Sequence, residues 1–241
     1  SKLNIAVYFN STDACSIFGL KSITPFNLMA FENYQARSSL VQGRLAVANN
    51  IDLNNYHIGD QLQVNTAGNV LIAGGNIDFS DGQVFFGNIL AGGEINLSQD
   101  VIDNMHENAQ IIENALIPIN FQQSYNEAKL FSNALAELPT NSSHINKNGN
   151  IHLTGDCQSA MQTYALSSEE LSAAQSLSYE CLSDNGYIVL NVTGENIDLS
   201  NLNLSQLNPI KQRLIWNFNQ ANQLIAHHVD VPGSILATQA H

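Results

Sequence analysis

Apolar and polar positions along this chain fall into short blocks that repeat. Leu45-Ala-Val-Ala-Asn-Asn-Ile-Asp-Leu53, Val70-Leu-Ile-Ala-Gly-Gly-Asn-Ile-Asp-Phe79 and Ile89-Leu-Ala-Gly-Gly-Glu-Ile-Asn-Leu97 share one pattern. Each is an apolar strand, a corner of small residues, then a second, alternating strand. A looser copy is Val189-Leu-Asn-Val-Thr-Gly-Glu-Asn-Ile-Asp-Leu199. Aligning the alanines at the corners spaces the copies by 25 residues (Ala48 to Ala73) and 18 residues (Ala73 to Ala91). Such self-similarity predicts stacked coils, because one coil cannot bury its apolar face alone but a stack can. The expected fold is mainly β: a β-solenoid, or parallel β-helix, with one amphipathic α-helix packed alongside.

That helix is predicted from a change of period. Phe121, Tyr125, Ala128, Phe131, Leu135 and Leu138 recur every three or four residues. Asn120 can cap the start, with Gln123 three residues on, and Pro139 stops it. Phe131 sits in the middle of the stripe and is expected to be buried against the β-stack. Residues 99–118 read as a second, weaker helix leading in. Phe26–Phe31 reads as an entry strand, and Thr140–Gly149 as a polar loop. Strands are expected at 150–154, 176–182 and 186–199, with a short capped helical turn at Ser168–Ala174.

Composition narrows the partners. Hydrophobic residues make up 44% of the chain and are patterned, so the low charged fraction of 12% does not signal disorder. Asn, Gln and Ser fill the polar positions instead. The net charge of −13, with eight scattered Lys and Arg, disfavours nucleic acid and anionic membrane surfaces. No stretch reaches the ~18 consecutive apolar residues of a membrane span. No signal peptide is read, and Ser1 suits a mature or trimmed chain.

The motifs in order resemble a family. Phe26-Asn-Leu, Gly43-Arg-Leu-Ala-Val47, Tyr56-His-Ile-Gly59 and the paired-glycine coils are similar to the choice-of-anchor A domain of bacterial surface proteins. So are Tyr164-Ala-Leu-Ser-Ser-Glu-Glu-Leu171, Val189-Leu-Asn-Val-Thr-Gly194, Ile215-Trp-Asn-Phe218 and Val231-Pro-Gly-Ser-Ile-Leu-Ala237. The resemblance runs from about residue 26 to 237 and implies one adhesive domain over 1–241. It implies a secreted or bacterial cell-surface location and an extracellular protein or glycan ligand. It transfers no catalytic, cofactor or ligand-binding residue. The corner that relatives write Gly-Gly reads Asn49-Asn50 in the first coil.

Candidate chemistry is sparse. Cys157 and Cys181 are one coil apart and could face each other, as a disulfide in an exported protein or as two buried thiols. Cys15 would be left over. No C-x-x-C pair or Asp/Gly calcium motif is present, and no cofactor or metal is expected. His227-His228, read as strand neighbours, would point to opposite faces. His57, His106, His144 and His152 read as surface or satisfied residues. Asp52, Asp78, Asn96 and Asp198 share one repeat position and are expected to form a column. The column is either a solvated ladder or, in an alternative reading, the carboxylate set of a carbohydrate-active enzyme. Gly74-Gly75 lacks the Lys-Ser/Thr of a phosphate loop. Trp216 is expected in the core. Adhesive contacts are expected from a solenoid face or from loops at 54–66 and 139–149.

Overall fold

The alternation in the repeats becomes strands whose side chains point by turns into and out of a coil. The computed structural model describes Val7–Tyr8, residues 25–64 and residues 67–240; Cys15 lies outside them. The chain is mainly β, with parallel sheets in a β-helix-like arrangement.

Among the described residues, one sheet of ten strands runs through the molecule. From one end it holds β10 (Ile111–Ile112), β8 (Asn88–Ala91), β6 (Asn69–Ala73), β4 (Leu45–Val47) and β2 (Leu28–Ala30). Then come β1 (Val7–Tyr8), β19 (Ser234–Leu236), β17 (Leu214–Asn217), β15 (Tyr187–Thr193) and β13 (Met161–Ser167). All neighbours are parallel except at β1, which pairs antiparallel with both β2 and β19. Val7–Tyr8 is therefore the seam between two stacks of coils. The first stack builds outward from the seam; the chain then crosses back, and the second stack builds inward from β13.

The first stack has a second sheet, β3 (Tyr34–Val41), β5 (Ile51–Ile58), β7 (Ile77–Val84) and β9 (Ile95–Leu97). Its long strands bend at Ser38, Asn55 and Asp81, which sit at one register position with φ of 52°, 51° and 55°. Asn and Asp are among the non-glycine residues that best tolerate this left-handed conformation. Leu45, Val47, Ile51, Leu53, Ile77 and Phe79 point into the coil and are buried. The helix α1 (Gln99–Asp103) closes the end of this stack with Val101. The expected helix over 99–118 stops at Asp103; Ile111–Ile112 joins the large sheet instead.

The register differs from the alanine alignment. Val47 pairs with Ala73 and Ile51 with Ile77, a spacing of 26 residues, whereas Ala73 pairs with Ala91 as expected. Ala48-Asn49, not Asn49-Asn50, thus takes the place of Gly74-Gly75 and Gly92-Gly93. A Cβ on Gly74 or Gly92 would strike the carbonyl oxygen of Ala48 or Gly74 in the neighbouring coil. Close stacking of backbones, rather than a positive φ, sets those two glycines.

In the second stack, β12 (Asn150–Thr154) and β14 (Ser176–Glu180) are parallel, as are β16 (Asn196–Asp198) and β18 (Gln223–Ile225). The strand β11 (Ser143–Lys147) folds back antiparallel on β12 through Asn148-Gly149, both at positive φ. Half of the expected loop at 139–149 is therefore strand. The helix α3 (Ser168–Ala173) carries a reciprocal capping box between Ser167 and Glu170. A 3₁₀ segment over Ser205–Arg213 buries Leu207 and Ile210. Trp216 is fully buried, donating its indole N–H to the Pro232 carbonyl at 2.8 Å.

The strands β2, β4, β17 and β19 of the large sheet are buried on both faces, which explains their near-continuous apolar runs. Ala46, Ile72 and Leu90 of the first stack, with Val189, Ile215 and Leu236 of the second, face outward into a third core. Ile117 and Ile119 of the crossing segment and the helix α2 (Phe121–Ala136) cover it. The helix forms where the spacing predicts, and the Asn120 side chain accepts from the Gln123 amide at 3.0 Å. Its buried positions, however, are Ser124, Ala128, Ser132 and Leu135. Phe131 is only half-buried at the flank, contrary to the expectation, because small residues let the helix sit close to the sheet.

Candidate functional site

The first stack presents a flat face of in-register polar rows. Four triplets build it: Asn33-Tyr34-Gln35, Asn50-Ile51-Asp52, Asn76-Ile77-Asp78 and Glu94-Ile95-Asn96. In each, the central residue turns into the coil and the outer two face solvent, as strand alternation requires.

The first row is an amide ladder. The Asn50 amide N–H donates to Asn33 Oδ1 at 3.1 Å, and the Asn76 N–H to Asn50 Oδ1 at 2.9 Å. The Glu94 N–H donates to Asn76 Oδ1 at 2.9 Å, and the Ile95 N–H to Glu113 Oε1 at 2.8 Å. Backbone donors freed at each corner are thus satisfied by the side chain of an adjacent coil.

The second row is Gln35, Asp52, Asp78 and Asn96. Gln35 Nε2 donates to Asp52 Oδ2 at 3.2 Å, and Asn96 Nδ2 to Asp78 Oδ1 at 3.4 Å. Arg37 lies 3.7 Å from Asp52. A third row follows, with Asn54 Nδ2 donating to Ser80 Oγ at 2.8 Å. The first two rows, with Glu113, line a shallow groove of about 680 Å³. Neighbouring rungs repeat at the strand spacing of about 4.8 Å. The ladder bonds use the Asn Oδ1 atoms of the first row and the Gln35 and Asn96 amides of the second, on side chains that remain exposed or half-exposed. The face can hydrogen-bond a polar ligand along its length. Asp52 and Asp78 stand on an open sheet, without the enclosure that excludes water from a reacting centre.

The expected column holds three of its four members. Asp52, Asp78 and Asn96 are in register, but Asp198 belongs to β16 in the second stack and pairs opposite Ile225. Bonds from Ser200 lower the Asp198 pKa, and His227 lowers it further. The shared Asn-Ile-Asp motif sits in both stacks, so sequence alone merged two faces. The Asn33, Asn50 and Asn76 row lies outside the expected column, although the triplet repeat carries it.

The remaining candidates disperse. His227 and His228 lie in a bend after β18, not in a strand, and His228 has φ of 52°. His144 Nε2 meets Glu170 at 2.7 Å, and His152 Nδ1 meets Ser178 Oγ at 2.7 Å. Burial raises the Glu170 pKa, but the His144 and Ser167 bonds outweigh it and leave it lowered. His57 and His106 lie beside Phe85 and Phe86, at ring distances of 6.0 and 6.1 Å. Among the described residues no group of three His, Cys, Asp or Glu side chains is placed to hold a metal ion. The expected loop at 54–66 begins inside β5.

Cys157 and Cys181 sit at stacked corners, with Cα atoms 4.3 Å apart and φ of 66° and 60°. The Cys157 N–H donates to the Cys181 carbonyl at 2.6 Å. Beside them, Asp156 accepts bonds from the Ser159 hydroxyl and the amides of Ser159 and Gln158, which hold its pKa down to about 2.

The β-helix-like body thus presents an open face of hydrogen-bonding side chains. The family profile described as "Putative Ice-binding-like adhesive domain" matches residues 19–241, and the chain belongs to that family. No curated protein and no solved structure matches the chain. No helix among the described residues is long and apolar enough to cross a membrane.

Proposed function

We propose that this chain is a non-catalytic adhesin module, secreted or held at a bacterial cell surface, in which one β-solenoid over 1–241 displays a ligand-binding face. The ligand is a host, matrix or polysaccharide partner, and the ladder face of Asn33, Asn50, Asn76, Asp52 and Asp78 meets it. The observation that carries this reading is that open face in a member of an adhesive-domain family. The motifs shared with choice-of-anchor A domains support the same class. Pairing of Cys157 with Cys181 as a disulfide suits an oxidising compartment.

A panel of soluble and insoluble polysaccharides and matrix proteins tests the reading. Retention of the chain on at least one member, with no release of reducing ends, is the expected result. Release of reducing ends that stops in Asp52→Asn or Asp78→Asn would instead make the chain a carbohydrate-active enzyme.

A further inference from the structure

We propose that a second site, at the seam between the two stacks, binds an uncharged sugar ring. The seam leaves a cavity of about 580 Å³ between the first half of α2 and the corners that follow β2, β4 and β19. Sites for small ligands fall in this size range and combine apolar walls with a few placed polar groups. The cavity shares no residue with the ladder groove.

Its apolar wall is aromatic. Phe31, after β2, and Tyr125, on α2, meet edge to face with centroids 5.4 Å apart, and Phe121 stands one helical turn before Tyr125. All three are half-buried, so part of each ring faces the cavity. A sugar presents one face of C–H groups, which suits such a wall, and a rim of hydroxyls.

The polar wall matches that rim. Gln122, Asn222 and Gln239 are exposed amides, each able to donate and accept, as sugar hydroxyls also do. Thr238, only 5% exposed, lines the same cavity, and its buried hydroxyl has no hydrogen-bond partner among the described residues. A ligand hydroxyl reaching that oxygen on rotation of the side chain would pair a group otherwise left unsatisfied.

Charge selects among polar ligands. The rim carries one group of each sign, Glu32 and Lys129, and the Lys129 Nζ sits 5.9 Å from the Tyr125 ring centroid. The cavity thus offers no net charge to an ion, while the chain's net charge of −13 repels anions. A neutral, hydroxylated ring with one apolar face fits all three constraints. Phe31 comes from the first stack and Asn222 and Thr238 from the second, so an occupant would tie the stacks together.

This inference deepens the adhesive reading by naming a ligand class, and it rests on that reading for its biological sense. Saturation-transfer NMR on the full chain tests it, with methyl glucoside, methyl galactoside, methyl mannoside and N-acetylglucosamine as neutral probes and glucuronate as the anionic one. At least one neutral probe is expected to bind and glucuronate is not. Gln122→Ala with Asn222→Ala should weaken binding about tenfold, and Thr238→Val about threefold, at an unchanged circular dichroism spectrum. Glu169→Ala, exposed and in neither site, should leave it unchanged. Absence of transfer from all four neutral probes, equal transfer from glucuronate, or indifference to the cavity variants would overturn the seam site. Polysaccharide retention by the unmodified chain, with no transfer from any neutral probe, would overturn the seam site while leaving the adhesive reading intact.

Discussion

Ser132 on α2 and Asn217 on β17, 85 residues apart, exchange two hydrogen bonds beneath the helix. The Ser132 hydroxyl donates to Asn217 Oδ1 at 2.7 Å, and Asn217 Nδ2 donates to the Ser132 carbonyl at 2.9 Å. Asn217 also donates to Asn191 Oδ1 at 2.9 Å, and Asn191 Nδ2 reaches the Leu135 carbonyl at 2.8 Å. Two stacked asparagines thus bond to carbonyls in the last turns of the helix, and the Leu135 carbonyl also accepts from the Leu138 amide. Asn217→Leu should destabilise the fold by about 2–3 kcal/mol in urea denaturation, since it orphans several buried groups at once. Asn126→Ala on the solvent side should cost under ~0.5 kcal/mol. Equal effects would mean that the clamp does not hold the helix.

The small-residue face of α2 predicts an inversion of size sensitivity. Ala128 is fully buried, while Phe131 lies at the flank. Ala128→Leu should cost about 1–3 kcal/mol by overpacking. Phe131→Ala should cost about 1–2 kcal/mol, because only part of its apolar surface leaves water. Thermal unfolding of the two variants checks the order; a far larger loss at Phe131 would restore the aromatic stripe as the contact.

Asp156 predicts the acid behaviour of the Cys157 corner. Its pKa is lowered from 3.8 to about 2, so its stabilising bonds are fully present above about pH 4 and fade as pH falls through about 2. Asp156→Asn should therefore lower Tm at pH 7, and the gap to the unmodified chain should close between pH 4 and pH 2. A gap that is constant over that range would remove the carboxylate from the account.

Cys157 and Cys181 should be recovered as one crosslinked peptide on non-reducing mapping. Closing that loop stabilises by roughly 3 kcal/mol in the chain-entropy model, so reduction should lower Tm measurably. Both thiols reacting with a maleimide under native, oxidising conditions would exclude the bond.

The repeats, the long helix and its Asn120 cap were legible because each rests on local spacing. Strand content in the large sheet was legible for the same reason: runs such as Leu45-Ala-Val47 are apolar on both sides. What escaped depends on contacts between distant residues. Ala48 and Ala73 look equivalent in sequence, yet the coils stack one residue off that alignment, because Ile51 and Ile77 must both turn inward. Asp198 carries the same motif as Asp52 and Asp78 but lies in a stack that begins from the other end of the large sheet. Asn191 and Asn217 read as ordinary polar positions until a helix crosses them.

The ladder face is the centre of the account, and a binding titration on it is the most direct test. The polysaccharide or matrix protein that retains the chain is immobilised, and Kd is measured for the unmodified chain and for Asp52→Ala/Asp78→Ala, with folding verified by circular dichroism. The outward rungs are expected to supply ligand contacts, so the double variant should weaken binding at least tenfold, as the loss of one or two hydrogen bonds to charged groups implies. Glu169→Ala, on the exposed surface of the second stack, should leave Kd unchanged. Undiminished binding by the folded double variant would contradict the assignment of this face as the adhesive surface.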